Sequence, residues 1–183
     1  MTDATETSSL ADLVSSRLRD VPDFPEPGVV FKDVTPLLAD GAAFRAVVAD
    51  IAERRRGTVD LVAGIEARGF IFGAAVAHEL GIGFVPVRKA GKLPGRTKGV
   101  SYDLEYGSAT IEIHEDSFVG GERVLVIDDV LATGGTAAAT CELLEGSDAT
   151  VVAVEAVIEL AFLHGRDRLA GRDLHTTVVV GGD

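Results

Sequence analysis

Short apolar runs rich in β-branched residues alternate with helical stretches, and this alternation constrains the fold more than any other feature. VDLVAGI (59 to 65) is followed by FIFGAAVAHEL (70 to 80), which reads as a helix, and then by a second strand at GFVPVRK (83 to 89). RVLVID (123 to 128) is the next strand, residues 136 to 145 form a helix, and TVVAVEAVIEL (150 to 160) supplies another strand. Strands apolar on both faces belong to sheets covered by helices on each side, so an α/β fold with a mostly parallel central sheet is expected. Upstream, Leu10, Leu13, Val14 and Leu18 share a helical face behind a Ser9 cap. Phe44, Val47, Val48 and Ile51 repeat that spacing after Asp40, with a proline-rich connection between the two helices. YDLEYGSATIEI (102 to 113) alternates polar and apolar positions around Gly107 and Ser108, which predicts a two-stranded antiparallel ribbon projecting beside the sheet as a flap.

No repeat or Ser/Pro-rich linker divides the 183 residues, so a single domain is expected. With 46% hydrophobic and 25% charged residues the chain can build a core and stay in solution. The opening MTDATETSSL lacks the basic start and apolar stretch of a secretory signal, which predicts a cytoplasmic protein. Cys141, the only cysteine, is expected to be a buried spectator, and His78, His114, His164 and His175 lack the paired spacings of zinc sites. A formal charge of −12 repels nucleic acid and anionic membranes, so neither is expected as a partner. An anionic ligand then needs a local basic site. Residues 88 to 98 offer one, with Arg88, Lys89, Lys92, Arg96 and Lys98 and no carboxylate among them; a solvated charge run is the competing reading.

In open parallel sheets ligands bind at the carboxyl ends of the strands. The most informative such end is VLVIDDVLATGGTA (124 to 137), where a strand ends in two acids and a Gly/Thr loop leads into a helix. Gly134 and Gly135 let the backbone approach a ligand, successive amides and the helix N-terminus face an anion, and Thr133 and Thr136 add hydroxyl donors. Asp128 and Asp129 suit two neighbouring ribose hydroxyls or a divalent cation held through its waters. A simple helix cap beside two solvated acids is the plain alternative. Nucleoside triphosphatases also end a strand in paired acids, but no G-x-x-x-x-G-K-[ST] loop occurs, because Pro86 stands where Gly91-Lys92 would need a glycine. A G-x-G-x-x-G fingerprint is missing as well.

This stretch resembles the phosphoribosyl pyrophosphate (PRPP) signature of type I phosphoribosyltransferases. FPEPGVVFKDVTPLL (24 to 38), GIEARGFIFG (64 to 73), VPVRKAGKLPG (85 to 95) and YDLEYGSATIEIHED (102 to 116) are similar, in order, to segments of the adenine phosphoribosyltransferase family. The resemblance covers roughly residues 20 to 160. It implies the type I phosphoribosyltransferase fold, with an N-terminal hood over about residues 1 to 35 and a flexible catalytic loop and ribbon over about 88 to 113. It also implies an activity, conversion of adenine and PRPP to AMP and pyrophosphate in purine salvage. Ala132, Thr133, Gly134, Gly135 and Thr136 would hold the 5′-phosphate, and Asp128 and Asp129 the ribose. Arg68, Arg88, Lys89 and Lys92 would bind pyrophosphate, and a cis peptide would join Glu66 to Ala67.

The same resemblance makes Glu105 the catalytic acid that takes or stabilises the departing purine proton, with Tyr102 and Tyr106 either packing the closed flap or reaching a partner subunit. Phe31 would stack on adenine while the Val30 backbone reads its edge, and Lys32 stands where some relatives have arginine. Mg²⁺ is the implied cofactor, held mainly by the diphosphate and water, and a homodimer the implied assembly. A sister purine phosphoribosyltransferase and a non-catalytic PRPP-sensing regulator are the alternatives. Residues 161 to 183 match the family less clearly and receive no role.

Overall fold

The computed structural model describes residues 9–103 and 107–181 and divides the chain into two compact units, Met1–Val47 and Val48–Asp183. In the first, α1 (Leu10–Ser15) starts from a capping box: the Ser9 hydroxyl accepts from the Asp12 amide at 3.1 Å, and the Asp12 carboxylate accepts from the Ser9 amide at 3.1 Å. Leu18 lies beyond the end of that helix. The proline-rich connection contains a small antiparallel sheet, β1 (Arg19–Pro22) with β2 (Val30–Asp33), and a cis Phe24–Pro25 bond. After α2 (Thr35–Ala39), Asp40 accepts from the Ala42 and Ala43 amides at 3.1 Å and so caps α3 (Gly41–Arg55), as its position in the sequence suggests.

The second unit contains β3 (Leu61–Ile65), α4 (Gly69–Leu80), β4 (Gly83–Lys89), β5 (Thr97–Asp103), β6 (Ser108–His114), β7 (Arg123–Leu131), α5 (Gly135–Glu145), β8 (Thr150–Leu160) and β9 (Leu174–Val180). They form one seven-stranded sheet in the order β5-β6-β4-β3-β7-β8-β9, in which β4, β3, β7, β8 and β9 are parallel. Val124, Val126, Ile111, Ile113 and Leu144 are buried in a common core, and Cys141 lies among them, its thiol pushed up to about 11 by burial. Arg55, in the last turn of α3, donates to the fully buried Glu155 of β8 at 2.6 Å and also bonds Asp173. Among the described residues no helix is long and apolar enough to cross a membrane.

Besides Leu18, three features differ from what the sequence predicts. β7 continues past Asp128 to Leu131, because Val130 and Leu131 keep pairing with Ile158 and Glu159 of β8. The ribbon is not a free projection: β6 pairs with β4 at Arg88 and Lys89, and Val100 and Tyr102 of β5 rest on the core. The C-terminal LHTTVVV is a sheet strand, β9, reached through two 3-10 turns at Ala161–Leu163 and Gly165–Leu169.

Candidate active site

The strand order brings three loops side by side. β3 lies between β4 and β7, with Ile65 opposite Val87 and Gly64 opposite Ile127, so the loop after β3 is flanked by the ends of both neighbours. Glu66 and Ala67 in that loop are joined by a cis peptide, as the resemblance implies. Arg68 follows, at the start of α4, and its guanidinium bonds the carboxylate of Asp129 on β7. α4 can approach β7 this closely because of Gly69: a β-carbon there would sit 2.7 Å from the Ile127 carbonyl oxygen and 3.1 Å from the Asp128 carboxylate.

On the other flank, Arg88 Nε donates to Glu66 Oε2 at 3.1 Å, and the Lys89 amide donates to the same oxygen at 3.1 Å. Arg88 Nη1 also reaches the Lys92 carbonyl at 2.9 Å, which ties the turn after β4 to the loop after β3. The structure thus ties Arg88 and the backbones of Lys89 and Lys92 to the loop that carries Arg68, whereas Arg96 and Lys98 are engaged elsewhere. Arg96 pairs with Glu115 at 2.8 Å and Lys98 lies in β5. Glu66, to which the sequence reading gave no role, is the carboxylate that organises this cluster.

Asp129 is buried, whereas Asp128 is partly so and accepts a bond from the Asp129 amide at 2.8 Å. Burial first, and then the neighbouring charge of Asp129, push the Asp128 carboxyl well above the usual carboxylate range. Beyond them, residues 130–137 wrap a pocket of about 400 Å³, open to solvent and lined also by Asp128, Val154 and Ala156. Gly134 turns the chain with φ 76°, and α5 begins at the next residue, so the amides of its first turn have no helical carbonyl to bond. Those amides and the positive helix end suit the pocket to an anion. Tyr102 of the ribbon reaches it: its hydroxyl lies 3.0 Å from Thr136 Oγ1.

Among the described residues no three His, Cys, Asp or Glu side chains cluster as metal ligands. The adjacent Asp128 and Asp129 carboxylates are still oxygen donors of the kind Mg²⁺ takes, and they fit an ion that draws its other ligands from a diphosphate and water. Glu105 and Tyr106 lie outside the described residues. Val30, Phe31 and Lys32 all lie on β2 of the first unit. Phe31 meets Phe24 edge-on, with ring centroids 5.3 Å apart, and Lys32 Nζ is bonded across the hairpin to Asp20 at 2.7 Å. Next to them Asp33 is held down at about 2 by the Thr35 amide and then by Arg19.

A Gly/Thr loop at the end of a parallel strand, preceded by paired acids, is the arrangement expected of an enzyme that grips a sugar phosphate. Comparison with known proteins agrees, since the family described as the phosphoribosyl transferase domain matches residues 37–183. An adenine phosphoribosyltransferase of Acidothermus cellulolyticus is 59% identical over 163 residues, covering 88% of this chain and 92% of its own. Among solved structures, that of Rhodothermus marinus superposes with a TM-score of 0.89 at 47% identity, covering 93% of this chain and 98% of that one. The Trypanosoma brucei enzyme, solved with AMP, pyrophosphate and ribose-5-phosphate, gives a TM-score of 0.86 at 28% identity, covering 96% of this chain and 81% of that one. The chain belongs to the adenine phosphoribosyltransferases, which convert adenine and PRPP to AMP and pyrophosphate in purine salvage.

Proposed function

We propose that this chain makes AMP by direct displacement at the anomeric carbon of PRPP, and that the pocket after β7 is where the donor is held. The observation that carries this reading is the juxtaposition of a partly buried and a buried acid, Asp128 and Asp129, with the unpaired first-turn amides of α5. Ala132, Thr133, Gly134, Gly135 and Thr136 bind the 5′-phosphate through those amides and the threonine hydroxyls. Asp128 and Asp129 accept from the ribose hydroxyls and favour the positive charge that grows on the ring as its bond to pyrophosphate breaks. Arg68, Arg88, Lys89 and Lys92 receive the pyrophosphate oxygens, because guanidinium and ammonium groups present several donors to a polyanion.

The base enters against residues of β2, with Phe31 against the purine face and the Val30 backbone reading its edge. Adenine offers an amino donor beside a ring acceptor, and a 6-oxopurine inverts both, leaving buried polar groups unpaired at about 1–3 kcal/mol each. The imidazole nitrogen of adenine bonds to C1, the C1–oxygen bond to pyrophosphate breaks, and the ring proton passes to Glu105. Mg²⁺ bound to the diphosphate would neutralise charge on the leaving group. The ribbon and the loop that carry Gly91 and Gly95 exclude water from the donor. The ligands of the Trypanosoma brucei structure support the same set, AMP, pyrophosphate and a phosphoribosyl group, for this chain. We place the protein in the cytoplasm as a homodimer, with a hood at about 1–35 and a catalytic loop and ribbon at about 88–113.

The test is pyrophosphate release from purified protein given PRPP, Mg²⁺ and one free base at a time. Release with adenine alone is expected. Release with hypoxanthine but not adenine would point to a sister enzyme, and no release with any base to a sensor. Glu105→Gln is expected to lower turnover by about 10²–10⁴-fold while leaving donor affinity in place; unchanged turnover would remove Glu105 from the chemistry.

A further inference from the structure

The segment after β8 makes a very close approach to the phosphate loop. Gly134 and Gly165 lie backbone to backbone: a β-carbon on Gly134 would sit 2.2 Å from the Gly165 carbonyl oxygen. One on Gly165 would sit 2.1 Å from the Ala132 carbonyl oxygen and 2.9 Å from the Gly134 nitrogen. No side chain fits at either position without moving backbone. Gly165 is buried, yet it does not line the pocket, so it touches the loop from outside the anion site.

An ion pair anchors this segment. Arg166 donates from Nε to Glu159 Oε1 at 3.0 Å and from Nη2 to Glu159 Oε2 at 2.5 Å, a two-pronged match between guanidinium and carboxylate. Thr176 of β9 donates to Glu159 Oε2 at 2.9 Å, and Arg166 Nη1 reaches the Leu174 carbonyl at 3.3 Å. Glu159 is only 5% exposed, and the Arg166 guanidinium, followed by the Thr176 hydroxyl, holds its carboxyl below the usual range. In the sheet register Glu159 stands opposite Leu131, the residue just before the loop. A continuous path therefore runs from the end of β8 through Glu159, Arg166 and Gly165 to the backbone of Ala132 and Gly134.

We propose that Gly165, Arg166 and Glu159 are positioning residues for the 5′-phosphate, setting the aim of the loop amides without touching the ligand. This rests on the assignment of Ala132–Thr136 to that phosphate. A site made of backbone amides cannot recover by choosing another rotamer, so a displacement of about 1 Å can cost on the order of a hundredfold.

The experiment measures steady-state kinetics with donor and adenine varied separately, calorimetry with ribose 5-phosphate and with pyrophosphate, and thermal melting. Gly165→Ala is expected to raise donor KM by roughly a hundredfold and to weaken ribose 5-phosphate in parallel, with adenine KM and pyrophosphate affinity little changed. Glu159→Gln keeps the shape and loses the charge, and should raise donor KM about tenfold, with Arg166→Lys behaving alike because it loses the fork. An unchanged donor KM in Gly165→Ala, or donor and adenine KM rising together, overturns the proposal. Should Gly165→Ala not fold, Glu159→Gln decides by the same criterion. Thr136→Ala separates the two layers: if it leaves ribose 5-phosphate affinity intact, the loop assignment fails and the proposal with it. If it weakens that ligand while the Gly165 and Glu159 variants do not, the proposal alone fails.

Discussion

The loop after β7 and the cluster after β3 and β4 are both proposed to hold phosphate oxygens, but they are built from different material. In the loop the donors are main-chain amides of α5's first turn, which follow a turn at Gly134 with φ 76°, and their partial charges cannot be neutralised by a rotamer change. In the cluster the donors are side chains with carboxylate partners of their own, Arg68 with Asp129 and Arg88 with Glu66. The first site is ready when the chain has folded. The second must exchange internal carboxylates for the ligand, so its affinity is a difference between two sets of ion pairs, and that exchange can be tuned by proton and salt.

This contrast can be broken, beginning with the largest effect. Gly134→Ala should raise donor KM and ribose 5-phosphate Kd by about a hundredfold while leaving pyrophosphate binding nearly intact; calorimetry with the two fragments would show whether the sites are separable at all. Arg68→Ala should do the reverse, weakening pyrophosphate by about 2 kcal/mol, roughly thirtyfold, and sparing ribose 5-phosphate.

The next effect is one of pH. Because the Asp128 carboxyl is raised and its ionised form is the one that accepts from ribose, donor kcat/KM should climb with pH until that group is deprotonated, by up to about tenfold per unit. Stability of the ligand-free fold carries the opposite sign: the folded state keeps the proton longer than the unfolded chain, so this group's contribution declines as pH rises from the ordinary carboxylate range through the raised value. Asp128→Asn should flatten both profiles, and urea melts alongside kinetics would check the pair of signs. The smallest effect is Glu66→Gln, which frees Arg88 from an internal competitor and should tighten pyrophosphate by about fivefold. Weaker binding instead would mean that Glu66 orients Arg88 more than it competes for it.

The same contrast explains what the sequence made legible. A backbone site leaves a contiguous mark, because turn, amides and helix start follow one another, and ATGGT after two acids carries that mark in full. The parallel strands were equally plain, since runs such as RVLVID are apolar on both faces. Side-chain partnerships leave no such mark: Glu66 and Arg88 are 22 residues apart, and Arg68 and Asp129 are 61 apart. The ribbon's alternation was visible, but the pairing of β6 with β4 that joins it to the sheet is not a local property. β9 could have been found from the β-branched run in LHTTVVV; its role as a support for Glu159 through Thr176 could not.

The contact between Gly134 and Gly165 has a consequence for how the molecule comes into being. The ribosome delivers the turn proposed to hold the phosphate about thirty residues before the stretch it leans on, so a nascent chain can finish the helix after that turn while the turn still lacks its backing. Competence to hold a nucleotide would then wait until Gly165 has been made and β9 has paired with β8, and a chain stopped before that point would not sequester a costly sugar donor.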